Sequence, residues 1–333
     1  MSEALKMAVT RQRIILRERL SRPLGDLATA CSEVWGERKQ LERLLLGAVN
    51  ELASCKYLYV LDAGGRQVTA NISREGLHPD QCGRDRSARP YMEEAFTGPE
   101  LSLSTAYLSR NNQRPTLTAV QRVHSTDKGL RGFIGADFDL RELPLTRELY
   151  QQPNDWLQLK GDPAIRSGLF YQQRVESLMD GQIDTALALL GELMTCNGVF
   201  HGKLHFSSSR ATLWLIGDPY RFRILDYEDL TDPGICLAYP RHPYPEDAAI
   251  PPERIEDVLQ SFHQLRFMDE NIYLRSGSLN IFNGIVGLNF SCDGSHYMGW
   301  QDFLAKRLDF WLGAGVSAVA RSLDGAVSDP SAL

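Results

Sequence analysis

The stretch GRDRSARPYMEEAFTG, residues 83–98, sets three arginines, Arg84, Arg86 and Arg89, within six positions, directly ahead of Pro90. The chain that carries it has a net charge of −6. A guanidinium is a planar fork of donors whose shape matches a carboxylate or a phosphate. Proline suits the first position of a helix, and a helix start adds unpaired N–H groups and partial positive charge. Arg89 followed by Pro90 would therefore make an anion site, with Tyr91 supplying an apolar wall and a polar tip. The same arginines would equally serve as surface partners of Asp85, Glu93 and Glu94. On residue type alone both readings stand.

Other chemistry is thinner. There is no phosphate-loop signature of the G-x-x-x-x-G-K-[ST] kind and no G-x-S-x-G nucleophile elbow. GAGVSA, from Gly313, resembles a dinucleotide fingerprint but leaves no room after it for the βαβ unit that such a site needs. SCDGSHYMGW gathers Cys292, Asp293, Ser295 and His296. Triad members usually meet through the fold rather than in sequence, and a turn after a strand explains the cluster as well. His201 and His205, four apart, would share a metal on a helix, but VFHGKLHFS reads as a strand, which separates them by roughly 13 Å. No metal, no cofactor and no catalytic residue is expected. An enzyme built around His201, His205, Asp293 and His296 is the least favoured reading, and it requires those groups to converge.

Composition is that of a globular protein, 43% hydrophobic and 23% charged over 333 residues, enough for two domains at about 100–200 residues each. An acidic balance argues against a nucleic-acid partner. The first 22 residues are an exception, with Lys6, Arg11, Arg13, Arg17, Arg19 and Arg22 against Glu3 and Glu18. They read as a solvated helix face or as a basic helix for an anionic partner. The longest uncharged apolar runs are about half the roughly 20 residues of a membrane span. Arginines stand where a signal peptide has its apolar core, and six scattered cysteines show no C-x-x-C. The expectation is a cytoplasmic protein without a membrane span.

These residues need elements to position them. Apolar spacing predicts helices over 4–21 and 24–34, with Pro23 as a start or a kink, and another through Leu41, Leu45 and Val49. KYLYVLD and QVTANIS read as a hairpin around AGGR. A polar loop covers 73–88, a short helix runs from Pro90 to Gly98, and LSLSTAYL, TLTAVQRVH and GFIGADFD follow as three strands. The fold class is α+β: a PAS-like five-stranded antiparallel sheet with long N-terminal helices, then a second α+β domain. Residues 1–37 form an N-terminal helical segment suited to dimerisation, 38–145 the first domain, 146–170 a connector, 171–322 the second domain and 323–333 a tail. In the second domain 174–195 reads as a helix or helix pair, 252–265 and 300–312 as helices, and 198–207, 211–218, 221–227 and 284–292 as strands. No repeat of fixed period is seen.

Within residues 38–140, RPYMEEAFTG resembles the R-P-[WY]-[YF] helix start of Cache (PDC) sensory domains. YLYVLDAGGRQV, STAYLSRNNQRPTLTAVQRV and RGFIGADFDL are similar, in order, to that family's strands. The resemblance implies a sensor or ligand-binding protein for a small carboxylate, either an amino acid or an organic acid. It implies that Arg89 and Tyr91 grip the carboxylate, that Asp137 takes an amino group and that Tyr107 assists. Met92 stands where the family has a second aromatic, and Arg84 where it has a tyrosine. Arg84 and Arg86 are candidates for the rim of the pocket or for plain surface. Asp137 has a second reading as the cap of a following helix. A homodimer, an unidentified signalling partner and output through the second domain complete the expectation. A structural or interaction protein with a degenerate pocket is the alternative.

Overall fold

The computed structural model describes residues 3–109, 113–143, 173–292, 294–306 and 310–311. The connector at 146–170, the tail at 323–333, the GAGVSA stretch and Asp293 lie outside them. The chain divides into two compact units, 1–153 with 231–242, and 154–230 with 243–333. The segment 231–242, which the sequence leaves inside the second unit, belongs to the first.

In the first unit, α1 (Glu3–Glu33) is one continuous helix with Pro23 inside it. Proline there removes one helical hydrogen bond. The buried row Leu16, Leu20, Leu24, Leu27 and Cys31 continues through it. After a turn, α2 (Arg38–Glu51) buries Leu41, Leu45 and Val49. The strands are β1 (Cys55–Asp62), β2 (Asn71–Ser73), β3 (Gly76–His78), β4 (Leu101–Leu103), β5 (Tyr107–Leu108), β6 (Pro115–His124) and β7 (Leu130–Asp139). They pair antiparallel in the order β3-β2-β1-β7-β6-β4, with β5 also on β6. The five expected strands become seven for two reasons. LSLSTAYL breaks into β4 and β5, and the polar loop after Ser73 turns back as β3.

The sheet's two faces follow from the period of two. Leu58, Val60, Leu117, Ala119, Ile134 and Ala136 are buried on one face. There α1 packs on β6 and β7, and α2 on β1 and β2. On the other face Tyr59, Leu61, Val120 and Phe133 form a core with Tyr91, Met92 and Ala95 of α3 (Pro90–Thr97). Helix α3 begins at Pro90 and stops before Gly98, as the sequence predicts. Arg13 and Arg17 of α1 bind the edge of the sheet. Arg13 donates to the carbonyls of Leu103 and Ser104 at 2.7 and 2.5 Å, and Arg17 to that of Leu101 at 3.0 Å. They occupy edge-strand β4, whose free carbonyls would otherwise invite another chain.

The second unit repeats one supersecondary order. Helix α4 (Ile183–Cys196) precedes β8 (Val199–His205), β9 (Arg210–Leu215) and β10 (Asp218–Leu225). A short helix, α5 (Tyr227–Thr231), follows; then α6 (Pro252–Arg266) precedes β11 (Leu274–Asn280), β12 (Ile285–Phe290) and β13 (Ser295–Gly299), with α7 (Trp300–Ala305) after them. The sheet order is β10-β9-β8-β11-β12-β13, so the first strands of the two halves pair at its centre. Helices α4 and α6 pack on one face, with Gly202 under Leu190 and Gly277 under Phe262. The buried Arg266 binds both oxygens of Asp180 at 2.8 and 2.7 Å.

Candidate functional site

The three arginines separate once the backbone is in place. Residues 83–87 are hydrogen-bonded to the β1–β2 turn: Gly83 N–H donates to the Gln67 carbonyl, Gln67 N–H to that of Arg84, and Arg86 N–H to that of Gly65. Gly65 has a φ of 84°, and a Cβ there would lie 3.0 Å from the backbone of Ser87. Glycine therefore permits both the turn and the approach. Within this clasp Arg84 and Arg86 have different surroundings. Arg84 is exposed and donates to Gln81 Oε1 at 2.6 Å. Arg86 is 8% exposed. Its Nε donates to Gln67 Oε1 at 2.7 Å, its Nη2 to Asn71 Oδ1 at 3.1 Å and its Nη1 to Tyr91 Oη at 3.2 Å. The guanidinium lies 4.0 Å over the ring of Tyr59, a cation–π contact. None of the three arginines meets Asp85, Glu93 or Glu94: Asp85 binds Ser87, and Glu94 lies 3.8 Å from Arg17.

Arg89 is the residue before α3 and is half-buried. Its backbone closes the turn, with N–H to the Arg86 carbonyl and its own carbonyl to Met92 N–H, both at 2.9 Å. Its guanidinium makes no hydrogen bond and no ion pair among the described residues, yet its charge draws down the pKa values of both Asp137 and Tyr107.

Asp137 is half-buried on β7, on the same face as Phe133 and Gly135. Thr118 Oγ1 on β6 donates to its Oδ1 at 2.8 Å, and Tyr59 Oη on β1 donates to the same oxygen at 3.1 Å. Burial pushes the carboxyl's pKa up; Arg86, then Thr118, Tyr59 and Arg89 pull it back, and the net direction is upward. The side chain that ties down the turn after β7 is that of Asp139, which accepts from Arg141 N–H at 3.0 Å.

The tyrosines complete the cluster. Tyr91 and Tyr107 stack with ring centres 6.4 Å apart. Tyr107 Oη lies 2.8 Å from Thr118 Oγ1, and burial, then Asp137, raises its pKa. Tyr59 is fully buried, with its pKa raised well above the usual 10 by burial and next by Asp137. Its ring fits because position 135 is glycine: a Cβ there would sit 2.2 Å from Tyr59 Cε2. Met92 is fully buried and serves the core rather than facing the polar cluster.

Of the six sequence candidates, the fold gathers Arg86, Arg89, Tyr91, Tyr107 and Asp137, and leaves Arg84 outside. Sequence reasoning missed Tyr59, Thr118, Gln67 and Asn71. One signal was present for Tyr59: a glycine inside the strand GFIGADFD marks a close approach. What assembles is a half-buried site with two guanidiniums against one carboxylate, so it carries excess positive charge.

The histidine cluster does not converge. His201 and His205 share the face of the second sheet away from α4 and α6. His296 pairs with Leu288 and, through it, aligns with Gly277, which faces α6. Among the described residues no group of His, Cys, Asp or Glu suits a metal ion. None of their helices is long and apolar enough to cross a membrane.

No family model matches the chain, and no curated protein does. Among solved structures it is similar to sensory ligand-binding domains. The ligand-binding domain of Campylobacter jejuni chemoreceptor Tlp3, in complex with L-valine, is 15% identical with a TM-score of 0.33, over 41% of this chain and 58% of that one. That of Pseudomonas fluorescens chemoreceptor CtaA, in complex with L-isoleucine, is 18% identical with a TM-score of 0.31, over 41% and 53%. An extracellular ligand binding receptor from Desulfohalobium retbaense is 17% identical with a TM-score of 0.32, over 42% of this chain and 26% of its own. The chain thus spans less than two thirds of the length of each.

Proposed function

We propose that the first unit is a Cache-type sensor module that binds a small carboxylate against Arg89, and that it signals through the second unit or a separate partner. The observation that carries the reading is the electrostatic one. Arg86 spends its hydrogen bonds on the neutral acceptors Gln67, Asn71 and Tyr91. Asp137 offsets one positive charge, and among the described residues the Arg89 guanidinium has no acceptor. A carboxylate supplies the missing negative charge and the bidentate acceptor that a free guanidinium is shaped for.

A ligand that binds the folded state raises its melting temperature by mass action. A panel of small mono- and dicarboxylates and L-amino acids, followed by thermal shift, is expected to yield at least one stabilising compound. Arg89→Ala is expected to weaken that compound by roughly tenfold to a hundredfold, the worth of a hydrogen bond to a charged group. Arg84→Ala is expected to leave it unchanged. A shift that survives Arg89→Ala would remove the site. A panel without any stabilising compound would favour an interaction protein whose cluster is structural.

A further inference from the structure

The hydroxyl protons around Asp137 can be counted, and the count assigns a role to a residue that the sequence does not point to. Thr118 has one proton, which lies on Asp137 Oδ1 at 2.8 Å. Tyr107, at 2.8 Å from Thr118 Oγ1, can then contact that oxygen only as a donor. Tyr59 likewise has one proton, and its contact with Asp137 Oδ1, at 3.1 Å, is shorter than its 3.4 Å contact with Tyr91. Every donor that the described structure gives Asp137 therefore falls on Oδ1. Oδ2 accepts none from the described residues, and the side chain keeps part of its exposure.

We propose that Thr118 is a positioning residue that assigns Asp137 Oδ1 to the protein and Oδ2 to the ligand, and that commits the Tyr107 proton so that Tyr107 meets a ligand only as an acceptor. Beside Arg89, which offers donors alone, the site then reads hydrogen-bond direction. One end of a ligand meets donors and the other meets acceptors.

The titratable and charged groups whose fields reach Asp137 from neighbouring elements are Tyr59 and Cys55 on β1, Arg86 and Arg89 before α3, and Tyr107 on β5, with Tyr91 of α3 behind Tyr59 and Arg86. The carboxylate on the same face of β7 is Asp139, two residues along, which accepts from Arg141 N–H and lies 3.9 Å from Arg114. Thr118 is fully buried, so a change there acts on Asp137 and Tyr107 without altering exposed charge.

Two variants and two readouts test the assignment. Thr118→Val keeps the shape and removes the hydroxyl; Thr118→Ser keeps the hydroxyl. In the ligand-free protein, the carboxyl titration of Asp137, followed by carbon NMR, is expected to move upward in Thr118→Val and to stay in place in Thr118→Ser. The ligand arm alone rests on the sensor reading. It uses L-amino acids, each beside its deaminated acid, and compares their affinities. Thr118→Val is expected to cut the preference for the amine-bearing member about tenfold, and Thr118→Ser to retain it. An unmoved Asp137 titration in Thr118→Val, or a serine variant that behaves like the valine one, overturns the proposal. If no compound binds wild type, the sensor reading fails while the ligand-free titration still decides the role of Thr118. Should Thr118→Val not fold, Tyr107→Phe removes the donor behind Thr118. It is expected to move the Asp137 titration the same way, and no movement overturns the proposal.

Discussion

Two buried arginines do different work in this molecule. Arg266, fully buried, is neutralised by both oxygens of Asp180, so its charge is spent inside the second unit. Arg86 meets only neutral acceptors and an aromatic face, so its field still reaches Asp137. His205 is a third case, a charge refused. Burial, and then Lys203, lower its pKa from 6.5 to about 4. Between those values the unfolded chain binds a proton that the folded one does not, so stability is complete above pH 6.5 and falls as pH drops to about 4. The loss is up to roughly 3 kcal/mol. Denaturant unfolding of the second unit at pH 7 and pH 4.5 is expected to show a smaller drop in His205→Gln than in wild type; equal drops would refute the assignment. Spacing alone could not have separated Arg86 from Arg84. Both precede the same helix, and only the clasp between residues 83–87 and the β1–β2 turn turns one inward and the other outward. Arg89 was legible because Pro90 fixes where the helix begins.

At the level of elements, the site depends on three adjacent strands in fixed register. Tyr59 pairs with Gly135 across β1 and β7, and Thr118 with Asp137 across β6 and β7. A slip of one residue in any of these strands would send its site side chain, Tyr59, Thr118 or Asp137, to the face that packs on α1 and α2. Gly135 is the point of least tolerance, since a methyl group would enter the Tyr59 ring. Gly135→Ala is expected to destabilise the first unit by about 2–3 kcal/mol, an overpacking cost, and to displace Tyr59 from Asp137. Thermal melting reads the first effect and near-ultraviolet circular dichroism the second; a variant with wild-type values for both would show that the ring has room to move. The strands rich in β-branched and aromatic residues, such as KYLYVLD and TLTAVQRVH, were readable from their pattern. LRSGSLN, which becomes the central strand β11, was not. Its serines, glycine and asparagine are turn formers, and it is held as a strand by pairing with β8 and β12 on either side. SHYMG, the edge strand β13, was missed for the same reason of composition.

At the scale of the whole chain, the segment 231–242 lies between two stretches of the second unit in sequence but packs in the first. Pro233–Leu237 forms a tight helical turn, capped by Asp232, that lies against α1, β5 and β6. Ile235, Cys236 and Leu237 are buried. Strands β5 and β6 are the ones that carry Tyr107 and Thr118. If a carboxylate engages Tyr107 as proposed, the turn packed on β5 and β6 is the first neighbour its effect would reach. The turn is joined in sequence to α5 on one side and to α6 on the other, so output through the second unit predicts that this turn responds to ligand. Hydrogen exchange with and without a stabilising carboxylate reads this directly. Residues 233–237 are expected to gain protection together with β5 and β6, and Arg89→Ala to abolish the gain at all three. Protection confined to β5 and β6, with the turn unchanged, would mean that the ligand's effect stops at the sheet and that output needs a separate partner.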